Sequence, residues 1–431
     1  MKIGVYFRES WHNLLADRTY GLVYILAVAF SMAMVMTYLT VQSVRMDNIY
    51  PETHRDRMLS IPSMTYTHSN ARSVRERGVN KDFMQRFLSA PIPGLEAWTA
   101  VKTDNFIVTT ASRESVNMVV EFIDTDFRKI FPLDVTDGTW MPEDAADRAV
   151  PEIMISESAA VLLFGRKDVT GETVFFDSRE FRICGVVRDV PMTATYAFAQ
   201  IWAPDIETFF ERLLVPSLGG MQGSYEIVLL ADSRRDFGRV RQEIEDRVEM
   251  YNSTGGDDWQ MTFTHGIPSQ KERIFMLGSA VAYRWIGIGV VLLVLLVPVL
   301  NLSGMTGSGM EARMAEFGVR KSFGAWRGAI IRQVTAENLL LTLFGGVLGL
   351  LLSYLLLYLL QDQLYDLLPL NGVADIRGIA EAPAFVFRDF FRLKLYLLLF
   401  VLVVVLNLLS AMVPAFKVLR RPITESLNSK K

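Results

Sequence analysis

Apolar residues are distributed along this chain in two ways. Between residues 42 and 280 they come in short runs broken by polar and turn residues, whereas elsewhere they are bunched into four long stretches at 20–41, 281–303, 339–360 and 395–415. About twenty apolar residues in a helix span a bilayer, because a helix rises about 1.5 Å per residue and the hydrocarbon core is about 30 Å thick. The first, third and fourth stretches contain no charged residue, and the second contains only Arg284 near its outer end, from where a long side chain reaches the headgroups. The pattern predicts four transmembrane helices.

The first stretch is longer than the apolar part of a secretory signal, and it ends in Thr40-Val41-Gln42-Ser43-Val44-Arg45 without a small-x-small cleavage site. It reads as a retained anchor. Ahead of it, residues 1–19 set Val5, Phe7, Trp11, Leu14 and Leu15 among charges, the pattern of an amphipathic helix lying along a membrane surface.

Within 42–280 the periodicity predicts strands at 106–110, 116–123, 153–156, 173–177, 180–188, 199–203, 225–230 and 260–265, and helices at 82–90, 124–131, 156–164 and 233–251. That mixture is an α+β domain. Ser156 is placed to cap the helix that follows it and Gly165 to stop that helix, giving a strand, helix, turn, strand, strand unit. Residues 54–77 are polar and weakly patterned and read as a mobile loop that contacts substrate or partner.

Charge sets the orientation. Lys and Arg outnumber Asp and Glu in 1–19 and again in 304–338, where Arg313, Arg320, Lys321, Arg327 and Arg332 face Glu311, Glu316 and Glu337. The tail, 416–431, has Lys417, Arg420, Arg421, Lys430 and Lys431 against Glu425. These three segments are therefore predicted to be cytoplasmic, with 42–280 and the short link 361–394 outside.

Candidate chemistry is sparse. His12, His54, His68 and His265 are scattered without zinc-site spacing, and the carboxylates read as solvated surface charge. Cys184 is the single cysteine and sits in the strand pattern Phe181-Arg182-Ile183-Cys184-Gly185-Val186-Val187, so it reads as a buried, inert thiol. No P-loop, nucleophile elbow or kinase signature occurs in the sequence. We therefore expect no catalytic residue, metal or cofactor here, no nucleic acid partner, and no ATP hydrolysis by a P-loop mechanism in this chain.

Two segments have a mechanical character. In 304–338, charged residues alternate with Met314, Phe317, Val319, Phe323 and Trp326, which makes a short amphipathic helix suited to a groove on a partner, and Gly318 and Gly324 permit a turn or close approach. In the third span, Gly345 and Gly349 form a G-x-x-x-G face for close helix packing, within the bundle or between two such bundles. Asn301 and Asn407 are polar positions inside apolar spans and read as interhelical hydrogen-bonding groups.

Here the chain resembles a known family. The run from Val150 through Ile153 and Ser156 to Ala160, with Leu163-Phe164-Gly165, Gly171 and Phe181 to Pro191, is similar to the periplasmic core domain of MacB-type ABC permeases. The segment Arg313-Met314-Ala315-Glu316-Phe317-Gly318-Val319-Arg320-Lys321, followed by Gly324-Ala325, Gln333, Glu337 and a glycine-rich span, resembles the FtsX-like permease signature, with Phe317, Val319 and Phe323 in place of its usual aliphatic residues. Val413-Pro414-Ala415 and Pro422-Ile423-Thr424-Glu425-Ser426-Leu427 fit the family's closing pattern. The resemblance implies a porter-like base with a second lobe inserted at roughly 124–191. It implies an ATPase-coupling role for Arg313, Met314, Glu316, Phe317, Gly318, Val319, Arg320, Lys321, Gly324 and Ala325. It also implies a separate ABC ATPase subunit, a homodimer or a heterodimer with a related permease, and periplasmic or outer-membrane partners. A bacterial inner membrane is the expected location. Efflux or extraction of a hydrophobic compound, peptide or lipid is the expected activity; lipoprotein release and regulation of a cell-wall hydrolase are the alternatives.

Overall fold

The computed structural model describes residues 18–68, 74–111, 115–176, 179–205, 221–254, 259–276, 289, 292, 327–360 and 393–420. The chain divides into two compact units, one of residues 1–43, 281–361 and 390–431, the other of 44–280 and 362–389.

Among the described residues the first unit contains three long helices, α1 (Arg18–Met46), α7 (Arg327–Leu359) and α8 (Leu393–Arg420), the last turn of α1 falling in the second unit. Their apolar segments Gly21–Val44, Ile331–Leu359 and Leu393–Ser410 are long enough to cross a membrane. Of the predicted span 281–303, only Gly289 and Leu292 fall among the described residues, both helical. Tyr24, Val28, Met32 and Met36 of α1, Leu341 of α7, and Leu399 and Val403 of α8 pack into one buried cluster. The outward side chains Leu26, Phe30, Leu351, Leu398 and Val401 are exposed, as residues facing lipid would be.

The second unit holds β1 (Met58–Ile61), β2 (Met64–His68), β3 (Val74–Val79), α2 (Lys81–Phe87), β4 (Leu95–Thr110), β5 (Ser115–Ile123), α3 (Phe127–Ile130) and β6 (Val135–Gly138). It continues through β7 (Glu152–Ser156), α4 (Glu157–Phe164), β8 (Thr173–Phe176), β9 (Arg179–Val187), β10 (Ile201–Pro204), β11 (Gln222–Gly223), β12 (Glu226–Ala231), α5 (Phe237–Ser253), β13 (Trp259–Phe263) and α6 (Gln270–Met276). The main sheet runs β1-β12-β4-β5-β10-β7-β9-β6. Strand β8 joins β9 to the far end of the long β4, where Thr109 pairs with Phe175. A smaller sheet runs β11-β3-β2-β13.

Period-two alternation explains why the main sheet is buried on both faces. Met118, Val120 and Phe122 of β5, Ile153 and Ile155 of β7, and Ile201 and Ala203 of β10 point into one core, which α4 covers. The intervening Val119, Ile123, Met154 and Trp202 point into a second core on the opposite face. At the β1-β12 end, Leu59, Ile61, Ile227 and Leu229 enter a third core with Phe83 and Phe87 of α2 and Val240, Ile244 and Val248 of α5. The described members of that third core all come from residues before 101 or after 220.

Local sequence dictates α4 as expected: the Ser156 hydroxyl accepts from the Ala159 N–H at 3.2 Å, and Gly165 ends the helix at φ +70°. The stretch 54–77 is a correction. It contains a 3₁₀ turn, β1, β2 and β3 instead of a loop, its residues 69–73 lying outside the described ones. β1 is buried at all four positions and so does not alternate, while β3 keeps Arg75, Glu76 and Arg77 on a partly solvated strand. Neither resembles a half-buried strand in sequence.

Candidate functional site

The residues carrying the ATPase-coupling expectation, Arg313, Met314, Glu316, Phe317, Gly318, Val319, Arg320, Lys321, Gly324 and Ala325, lie outside the described residues, as does Asn301. α7 begins at Arg327, so Gln333, Glu337 and Asn338 are continuous in one helix with the third span.

Within that helix three glycines sit at close approaches to α1 and α8. A Cβ on Gly345 would come within 2.8 Å of Val28, and one on Gly349 within 2.8 Å of the Ala29 carbonyl oxygen and 2.9 Å of Met32 Cβ. The neighbouring Gly346 faces α8, where a Cβ would lie 2.6 Å from the Phe400 ring. Hydrogen bonds fasten α7 to α8: Tyr396 donates to the Gly346 carbonyl at 2.9 Å and the Asn407 amide donates to Thr342 Oγ1 at 3.1 Å. Polar groups paired this way hold helices together where lipid supplies no hydrophobic drive.

In the second unit the notable chemistry is where the chain leaves α1. The last carbonyls of a helix lack intrahelical partners and carry partial negative charge. Arg55 supplies the donors: Nη1 donates to the carbonyls of Val44 at 2.7 Å and Asp47 at 3.1 Å, and Nη2 donates to the Thr193 carbonyl. Its Nε donates to Glu52 Oε2 at 2.5 Å, and Glu52 Oε1 accepts from the Tyr196 N–H at 2.6 Å. Both side chains are 0% exposed. A fully desolvated guanidinium is tolerable only when its rigid fork of five donors is well matched, and this carboxylate and three carbonyls take four of them.

A second buried carboxyl lies nearby. Glu121 of β5 sits opposite Trp202 of β10 and is 1% exposed. Among the described residues its Oε2 has no hydrogen-bond partner and it forms no ion pair. Burial pushes its pKa well above the usual carboxylate range and the negative Glu52 pushes it further, while the Trp202 indole offsets part of the rise. The native state therefore keeps this proton to higher pH than the unfolded chain does. Its contribution to stability is then most favourable below the unfolded value of about 4.3 and declines as pH rises through and beyond it. Glu121→Gln is expected to remove that decline, melting above wild type at neutral pH and converging with it near pH 4 in a thermal unfolding series.

Cys184 donates to the Ile153 carbonyl at 3.2 Å, and burial pushes its thiol up to about 12, so it is inert at physiological pH. Among the described residues no cluster of His, Cys, Asp and Glu has the arrangement of a metal site. The reading of all carboxylates as solvated is corrected by Glu52 and Glu121. A signal for Glu121 was present, since it interrupts the apolar run Val119-Val120-Glu121-Phe122-Ile123. None marked Arg55, whose partner Thr193 is far away in sequence, as is Tyr196, the partner of Glu52.

A helical membrane unit bearing a large extracytoplasmic domain is the architecture of a membrane permease. The family model for the MacB-like periplasmic core domain matches residues 22–247 and that for the FtsX-like permease C-terminal region matches 288–423, and the chain belongs to this MacB-type, FtsX-like family of ABC transporter permeases.

Among curated relatives, the pyoverdine export ATP-binding/permease protein PvdT of Pseudomonas aeruginosa is 25% identical over 236 residues, covering 53% of this chain and 33% of the relative. The uncharacterized ABC transporter permease YknZ of Bacillus subtilis is 26% identical over 201 residues, 47% of each chain. The macrolide export ATP-binding/permease protein MacB of Vibrio parahaemolyticus is 24% identical over 273 residues, 62% of this chain and 38% of the relative. The chain thus spans about a third to a half of the length of these relatives. Of solved structures, the extracellular domain of the noncanonic ABC-type transporter YknZ from Gram-positive bacteria aligns with TM-score 0.34 at 15% identity, covering 47% of this chain and 99% of that one. The periplasmic region of MacB from Actinobacillus actinomycetemcomitans aligns with TM-score 0.32 at 18% identity, covering 47% and 88%.

Proposed function

We propose that this chain is the membrane subunit of an ABC transporter in which a separate ATPase drives movement of the extracytoplasmic domain, exporting or extracting a hydrophobic compound, peptide or lipid. The observation that carries this reading is the Arg55 cluster, which pins the last turn of α1, itself part of the second unit, to the loop at Thr193, at the point where the first predicted span runs into the domain. The relatives named as export ATP-binding/permease proteins combine both activities, and this sequence contains no P-loop of its own. The apolar spans offer almost no charge for a hydrophilic path through the bilayer, which favours mechanical transmission over alternating access.

In this reading, Arg313 to Ala325 dock on the ATPase, both termini are cytoplasmic, two permeases form the working dimer, and the inner membrane of a bacterium houses them. The third core, built from the two ends of the domain's sequence, is the porter-like base, and 124–191 supply most of an inserted lobe. Affinity purification of the tagged chain in mild detergent, with mass spectrometry and an ATPase assay, tests the coupling. Wild type is expected to bring down a P-loop ATPase that Glu316→Ala/Arg320→Ala loses; a folded wild type that recovers none under several gentle conditions contradicts the proposal.

A further inference from the structure

The link between β9 and β10 is a buried loop, which is unusual because a loop's backbone polar groups need partners away from water. Met192, Tyr196 and Ala197 in this link are at most 2% exposed, and so is Thr193. Several of its polar groups are paired, and from two directions. From the first-span side, Arg55 donates to the Thr193 carbonyl, and Glu52 accepts the Tyr196 N–H. From the other side comes α6, the last continuous described element before the predicted second span. Arg273 of α6 donates to the Tyr196 hydroxyl at 2.7 Å with its guanidinium 4.9 Å from the centre of the ring, and Gln270 donates to Thr195 Oγ1 at 3.4 Å. Arg273 is itself held by Glu226 of β12 and is mostly buried, at 14% exposure.

Three residues of one loop, Thr193, Thr195 and Tyr196, therefore touch both places where the chain passes between this domain and its predicted spans. Two independently anchored exits would not need a shared strap buried between them. We infer that residues 193–196 bind the two exits into one mechanical joint, with Tyr196 the positioning residue: its backbone holds the first exit and its hydroxyl the second. Loosening one side then loosens the other. The inference rests on the reading that displacement passes through these exits, but its test needs neither ATP nor a partner.

The experiment is hydrogen–deuterium exchange on the full chain in nanodiscs, comparing wild type with Tyr196→Phe and with Glu226→Gln. At the first exit, the amides of Ile49, Thr53 and Arg57 are hydrogen-bonded and report on local opening. Both variants are expected to speed exchange over 269–276, and also over 44–57, by roughly fivefold or more, the factor that corresponds to about 1 kcal/mol. Exchange over α5, in the third core, is expected to stay at the wild-type rate and serves as the control for folding. Faster exchange confined to 269–276, or no change at either exit, overturns the inference. Should Glu226→Gln speed α5 as well, that variant has lost the fold and Tyr196→Phe alone decides. Co-purification of an ATPase, by contrast, decides the functional reading and is independent of this result.

Discussion

Replacing Arg55 by leucine is expected to destabilise the extracytoplasmic domain by about 3–5 kcal/mol, the range for removing one partner of a buried ion pair. The loss has two parts. Glu52 is left as an uncompensated buried carboxylate, and the carbonyls of Val44, Asp47 and Thr193 lose their shared donor. Replacing an isolated buried pair by apolar residues is often neutral, so a simple pair would be rescued by Glu52→Leu in the same chain. Here rescue is expected to be incomplete, because three carbonyls and the Tyr196 N–H still lack partners. Arg55→Lys should fall between wild type and Arg55→Leu, since a single ammonium cannot reproduce the planar fork. Thermal unfolding of the full chain, followed by tryptophan fluorescence, checks the order. Equal stability of wild type and Arg55→Leu would show that the cluster holds nothing together.

The second large effect belongs to the membrane bundle. Gly349→Leu is expected to separate α1 from α7, because even a Cβ there meets backbone, the Ala29 carbonyl oxygen at 2.8 Å. Overpacking costs about 1–3 kcal/mol or more in a close-packed interior, and lipid offers no hydrophobic gain to push the helices back together. Alanine discriminates the two glycine faces. Gly349→Ala should lower the melting temperature in detergent more than Gly346→Ala, since the latter meets the Phe400 ring, which can turn aside, and the former meets main chain. The opposite order would mean that α1 does not rely on this contact.

Much of this architecture was legible in the sequence for identifiable reasons. Long uncharged runs are hard to hide in a soluble core, and the stretches 20–41, 339–360 and 395–415 overlap the long apolar helix segments Gly21–Val44, Ile331–Leu359 and Leu393–Ser410. β5, β7 and β9 were visible as dense apolar runs, and α5 as the spacing of Val240, Ile244 and Val248. What escaped was non-local. β1 and β3 take their identity from partners in β12 and β2, not from their own pattern. The first half of β4 buries both Ala100 and Val101, on opposite faces, and so loses the alternation that marks a strand. The Arg55 cluster depends on a loop 138 residues further along the chain. A lone arginine in a polar stretch gives no sign of which carbonyls the fold will bring to it.

Displacement of this domain by ATP turnover in a partner is most directly measured as a distance. With Cys184 buried and unreactive, a spin label on Ile107→Cys, a residue 66% exposed, would be site-specific. The label-to-label distance between two copies, in complexes reconstituted with the co-purified ATPase, would be measured by pulsed EPR with and without ATP. The distribution is expected to shift on ATP addition in wild type and to stay fixed in Glu316→Ala/Arg320→Ala. An unchanged distribution in wild type while the ATPase turns over would contradict that displacement.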